Sequence, residues 1–80
     1  MKYSIDKTAK APAYLQLYHQ LRRDIAEGTV QPGSRLPSKR LMAEELGLSL
    51  ITVEHAYDLL LDEGYIISRQ RSGYYAAFGA

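Results

Sequence analysis

Two clusters of cationic side chains mark where this chain can do chemistry. Arg35, Lys39 and Arg40 fall together in S-R-L-P-S-K-R, and Arg69 and Arg71 in R-Q-R-S-G. A guanidinium presents a planar fork of donors that fits phosphate oxygens, or the O6 and N7 edge of guanine, bidentately, whereas an ammonium acts as a point charge. Ser38 and Ser72 add hydroxyls beside them, and Gly73 lets the backbone turn. Between the clusters, Leu41 to Ser68 holds six acids and no lysine or arginine. Two basic patches therefore flank a neutral-to-acidic middle. Because the net charge is only +1, ordinary solvated charge competes with anion binding on composition alone.

Other chemistries find little support. There is no cysteine, which removes disulfides, thiolate metal sites and a cysteine nucleophile. His19 and His55 stand on different predicted helices without metal-ligand spacing, and no glycine-rich phosphate loop occurs, so no enzymatic constellation is in view. Seven tyrosines raise base stacking on single strands. Tyr14, Tyr18, Tyr57 and Tyr65 lie on apolar faces, however, and read as core. Eighty residues at 46% hydrophobic composition make one small domain, burying roughly 60% of its unfolded surface. No apolar run approaches the ~20 residues of a bilayer span, and M-K-Y-S-I-D-K lacks a signal peptide's apolar core, so a cytoplasmic protein without a membrane partner is expected.

The elements that position these groups follow from periodicity. Ser49 to Glu63 reads as a helix capped by the Ser49 hydroxyl and stopped at Gly64, burying Val53, Ala56, Tyr57 and Leu60 and exposing Ile51, His55, Asp58 and Asp62. Ser38 caps a shorter helix over Lys39 to Leu46, with Leu41, Met42 and Leu46 inward, Ala43 allowing close approach, and Gly47 turning the chain. Pro12 suits the first position of an earlier helix, whose Tyr14, Tyr18, Leu21 and Ile25 share one face up to Gly28. Residues 1–11 form an arm, with a short extended piece near Tyr3 to Ile5. Pro32, Gly33 and Pro37 break the chain around a second extended piece at Ser34 to Leu36. Beyond Gly64, Y-I-I-S-R and Y-Y-A-A-F flank a polar turn and predict a hairpin, with Phe78 in its second strand. Three helices plus a wing, mainly α with a small β-hairpin, give a winged helix-turn-helix domain over residues 12–78, with the helix from Ser49 presented for recognition.

On these residues the chain resembles the DNA-binding domain of GntR-family bacterial transcription regulators. The motifs are P-A-Y-L-Q-L-Y-H-Q-L, G-S-R-L-P-S-K-R-L-M-A-E-E-L-G-L-S, I-T-V-E-H-A-Y-D-L-L-L-D-E-G-Y and R-Q-R-S-G-Y-Y. The likeness is strongest to the MocR type, with the YtrA type second. It implies a double-stranded DNA operator as partner and a homodimer in the full-length protein. A MocR-type protein would carry a further C-terminal domain, similar to fold-type I aminotransferases, that binds pyridoxal phosphate; no cofactor is expected in these residues. An end at Ala80, just past the wing, is expected for one domain of a longer protein.

The resemblance also implies roles. Arg40 would reach a base or phosphate from the second helix, with Arg35, Ser38 and Lys39 beside it on the backbone. Ser49 and Thr52 would contact backbone at the start of the recognition helix. Many relatives carry arginine at Leu50; here Leu50 and Ile51 offer apolar contacts to thymine methyl groups, unless Leu50 only packs at the helix edge, and His55 is either a donor to a base edge or phosphate or a solvated surface ring. Arg69, Arg71, Ser72 and Gly73 would lie at the minor groove, Arg71 standing where relatives often have glycine. The acidic row Glu54, Asp58, Asp62 should face away from the DNA backbone or meet basic residues such as Arg22 and Arg23. A rival reading makes the domain a protein-interaction module docking through Leu50, Ile51 and Leu59.

Overall fold

The computed structural model describes residues 3–77, so the strand assignment of Phe78 lies outside the described residues. Three helices, α1 (Ala13–Glu27), α2 (Lys39–Leu46) and α3 (Leu50–Asp62), precede two strands, β1 (Ile66–Arg69) and β2 (Gly73–Ala76). Each helix boundary has a local cause. Pro12 occupies the cap position just outside α1, in extended conformation, rather than its first turn. The Ser38 and Ser49 hydroxyls accept from the Leu41 and Thr52 amides, each satisfying a donor that the first turn leaves open. At the far end of α3, Gly64 turns left-handed at φ 81°. The Tyr65 and Gly64 amides then return to the Leu60 and Leu61 carbonyls at 2.9 and 3.1 Å, closing the helix in a Schellman arrangement.

The core forms where the helix stripes converge. Leu17, Tyr18, Leu21 and Ile25 of α1 meet Val53, Ala56, Tyr57 and Leu60 of α3, with Met42 and Ala43 of α2 and Val30, Leu36, Ile66 and Ala76 closing the edges. All four residues expected inward on α3 are buried, and Ile51, His55, Asp58 and Asp62 are exposed. Two expectations need correction. Leu41 is 46% exposed, because residues 41, 42 and 43 fan over ~200° of helix and only Met42 and Ala43 can share the inward face with half-buried Leu46. Tyr14 is half-buried at the first turn of α1, overhanging the core, and its ring is covered by His55 instead.

β1 and β2 pair antiparallel from Ile66 opposite Ala76 to Arg69 opposite Gly73. A two-stranded ribbon alone is marginal in water. Here the extended piece at 34–36 adds to the free edge of β2: the Leu36 amide donates to the Tyr74 carbonyl at 2.8 Å and the Ala76 amide to Ser34 at 2.9 Å. The wing is thus tied to the segment that leads into α2. Tyr74 also meets the Tyr57 ring edge-on, with centroids 5.2 Å apart.

The arm is docked along α1. Gln20 accepts from the Ser4 amide and donates to its carbonyl, at 3.1 and 2.8 Å, and Gln16 does the same for Asp6, at 2.8 and 2.9 Å. The geometry matches because two residues of extended chain rise ~6.6 Å and four helical residues ~6.0 Å. Burial alternates accordingly, with Tyr3 and Ile5 packed inward and Ser4 and Asp6 outward. Lys7 then donates to the Gly47 carbonyl at 3.0 Å, joining the arm to the turn between α2 and α3. Replacing both Gln16 and Gln20 by alanine should release the arm at a cost of about 1–3 kcal/mol. Trypsin should then cut at Lys7 and Lys10 several-fold faster than in the wild-type chain, while cleavage within α1 stays slow.

Candidate nucleic-acid interface

The exposed start of α3 carries apolar and hydroxyl side chains and no cation. Ile51 is 76% exposed, Leu50 lies beside it, and no lysine or arginine occurs anywhere on the helix. The hydroxyls there are engaged: Ser49 Oγ accepts from the Thr52 amide at 3.1 Å and shares a 2.8 Å hydrogen bond with Thr52 Oγ1. One turn on, the His55 ring stacks on Tyr14 at 3.7 Å with planes 9° apart, so α1 fixes the plane of an exposed imidazole. Leu59, the third member of the rival docking patch, is half-buried against the core. Only part of its surface is left for that patch.

Lys39 links three elements. Its Nζ lies 3.3 Å from Glu54 Oε2 on α3 and 5.5 Å from the Tyr74 ring centroid on β2. Partial desolvation opposes the lysine's charge, but Tyr74 and Glu54 outweigh it and hold the pKa above the ordinary lysine value. Glu54 therefore meets a basic residue, one of the two arrangements expected from sequence, and that residue is Lys39 rather than Arg22 or Arg23. Arg22 instead donates to the Tyr65 hydroxyl at 3.1 Å and lies over the Tyr18 and Tyr65 rings. Among the described residues, Lys39–Glu54 is the one ion pair. Arg40 next to it is exposed and has no carboxylate partner there. Both cations sit in the first turn of α2, where the helix dipole disfavours positive charge by about 0.3–1 kcal/mol each. An anion bound at this end would relieve that cost.

The wing supplies the second basic patch. Arg69 lies over the Tyr75 ring at 5.1 Å, and Tyr75 in turn shares a hydrogen bond with the Ser72 hydroxyl. In the turn, the Ser72 amide donates to the Arg69 carbonyl at 3.0 Å. Arg71 has φ 63°, the one non-glycine residue with positive φ among those described. That is the position of a tight turn that ordinarily favours glycine. Gly73, at φ 128°, lies under the Arg35 guanidinium, and a Cβ there would come within 3.1 Å of Arg35 Nε. Arg35 also borders an open groove of about 400 Å³ with Leu36, Pro37, Ser38 and Leu41. The fold thus brings Arg35, Ser38 and Gly73 together, and through Lys39 it joins the start of α2 to α3 and the wing. Tyr14 and Tyr75, which position His55 and Arg69, were not singled out in the sequence for these roles. Their spacing resembles that of core or strand residues, and only the folded arrangement sets them against His55 and Arg69.

Residues 13–75 match the family described as bacterial regulatory proteins, gntR family. The chain belongs to the GntR family. Its relatives include the probable rhizopine catabolism regulatory protein MocR of Rhizobium meliloti, 47% identical over 73 residues that span 91% of this chain and 15% of that protein. Among solved structures, YtrA from Sulfolobus acidocaldarius superposes with a TM-score of 0.90 at 38% identity, covering 98% of this chain and 82% of that one. The DNA-binding domain of AraR, solved in complex with operator ORE1, shares the fold with a TM-score of 0.79 at 22% identity, covering 96% and 94%. The GntR domain described here is MocR-like, and it spans only 14–16% of the length of the first curated relatives it matches.

The left-handed Arg71 gives a stability prediction. Arg71→Gly should stabilise the domain by about 0.5–1 kcal/mol in urea unfolding, since relief of the αL cost exceeds the added freedom of the unfolded chain. Arg71→Ala should bring no such gain. Equal stability of the glycine and alanine variants would show that the backbone is not strained there.

Proposed function

We propose that this GntR domain is the double-stranded-DNA-reading head of a transcription regulator, with the start of α3 in the major groove and the wing at the minor groove. The observation that carries the reading is the set of exposed arginines at 35, 40, 69 and 71, without carboxylate partners among the described residues, on the segment entering α2, at the start of α2 and in the wing. Cations kept out of internal ion pairs are what phosphate contacts require. Its relatives are transcription regulators, and the reading assigns the chain binding rather than catalysis. Among the described residues no helix is long and apolar enough to cross a membrane, in keeping with cytoplasmic action on DNA.

In the full-length protein two copies would occupy half-sites about one helical turn, ~34 Å, apart. Linking two heads raises effective concentration, so the isolated domain should bind weakly and the dimer tightly. Pyridoxal phosphate belongs, in this reading, to a further domain. Of the described lysines, Lys7 and Lys10 are exposed and Lys39 is held by Glu54; none stands in an enclosed pocket fit to hold that cofactor.

Binding of the full-length protein to the tightest duplex recovered from a random pool tests the proposal. Affinity should exceed that for random DNA by at least about 10³-fold and fall steeply with salt. Arg40→Ala should weaken binding by about 1–3 kcal/mol. Loss on the selected duplex alone would make Arg40 a base reader, whereas uniform loss with a shallower salt slope would make it a phosphate ligand. No preference for any duplex over random DNA would refute the reading.

A further inference from the structure

The chemistry at the start of α3 narrows what the helix can read. Direct readout in the major groove uses hydrogen bonds to base edges or apolar contact with the thymine C5-methyl group. On α3 there is no Arg, Lys, Asn or Gln, and the one exposed ring donor, His55, lies a turn further in and is stacked on Tyr14. Glu54 is held by Lys39 at 3.3 Å. The Ser49 and Thr52 hydroxyls are bonded to each other and to the helix's own first turn. Asp58 lies two turns in and would be repelled by phosphate. What the first turn offers outward is Leu50 at 36% exposure and Ile51 at 76%, the most exposed large apolar side chain among the described residues. A branched aliphatic side chain held this far out of the core has no internal packing to lose and a full face to offer.

We infer that Ile51, flanked by Leu50, is a specificity-determining residue that selects a C5-methylated pyrimidine, in DNA a thymine, in each half-site. The inference rests on the DNA-reading proposal and deepens it. The positions of Arg40 and the wing set where the helix sits, and Ile51 then distinguishes the base by burying its methyl group. Hydrogen-bond pattern plays no part in that distinction, so removing the methyl while keeping every donor and acceptor should abolish it.

Deoxyuridine is such a probe. Using the full-length protein and the tightest duplex selected from a random pool, each thymine is replaced in turn by deoxyuridine and Kd is measured. At one or two thymines per half-site, binding should weaken about fourfold per methyl removed, the equivalent of burying one such group. Ile51→Ala should bind the thymine and uracil forms of those positions equally while retaining the salt dependence of the parent. Because Ile51 is exposed, this variant keeps the core intact, and an unchanged urea midpoint verifies it. Equal binding of every uracil-substituted duplex by the wild-type protein overturns the inference and leaves DNA reading in place, as does a selected half-site without thymine. A methyl preference that persists unchanged in Ile51→Ala overturns the assignment to that residue. Failure to select any duplex over random DNA overturns the underlying proposal and the inference with it.

Discussion

Tyr57 is the point on which the reading head depends. It is fully buried in the middle of α3, its hydroxyl donates to the Pro37 carbonyl at 2.8 Å, and its ring meets Tyr74 edge-on. One side chain thereby ties the recognition helix to the segment entering α2 and to the wing. Burial, with Tyr74 and Glu45 nearby, pushes its phenol well above the ordinary tyrosine range, so it stays a neutral donor across the physiological range. A buried hydroxyl left without its acceptor would cost about 1–3 kcal/mol, which gives the Pro37 carbonyl a fixed position relative to α3. From there the chain runs directly into Ser38, Lys39 and Arg40.

The consequence is a division of labour between elements. α3 supplies shape and apolar surface, and its ionised side chains are acidic; positive charge comes from the beginning of α2 and from the wing. Lys39, the cation nearest α3, is drawn inward as a strut between Glu54 and Tyr74, so that Arg35, Arg40, Arg69 and Arg71 remain outward. The net charge of the chain is only +1, so any anion contact must come from these local cations and not from the overall balance. Asp58 and Asp62 lie further along α3 and oppose entry of the whole helix into a phosphate-lined groove, which favours approach by its first turns only.

Much of this was legible in the sequence. The stripe of Val53, Ala56, Tyr57 and Leu60 is a period-3.6 pattern that packing honours without exception, and the caps at Ser38, Ser49, Gly47 and Gly64 act locally, so their residue types are sufficient. Partner choice was less legible. Glu54 was expected to face away from DNA or to meet basic residues such as the α1 arginines, but the packing of α2 on α3 delivers Lys39, and sequence spacing does not encode that packing. Leu41 looked like core because it is leucine; helix geometry gave the inward face to its neighbours. The docking of the arm by Gln16 and Gln20 was unmarked because glutamine at i, i+4 is ordinary on a solvated helix, and only an extended partner turns it into a clamp. The roles proposed for Arg40, Arg71 and the other candidate contact residues rest on their exposure together with family membership.

The most direct test of this division of labour is a backbone amide chemical-shift map of the domain titrated with its selected duplex at two salt concentrations. The account predicts changes concentrated at Arg35 to Arg40, Ser49 to His55 and Arg69 to Gly73, shrinking together as salt rises, with the amides of Asp58 to Asp62 nearly unmoved. Changes centred on Asp58 to Asp62 or on the outer face of α1, with the wing and the start of α2 silent, would contradict it.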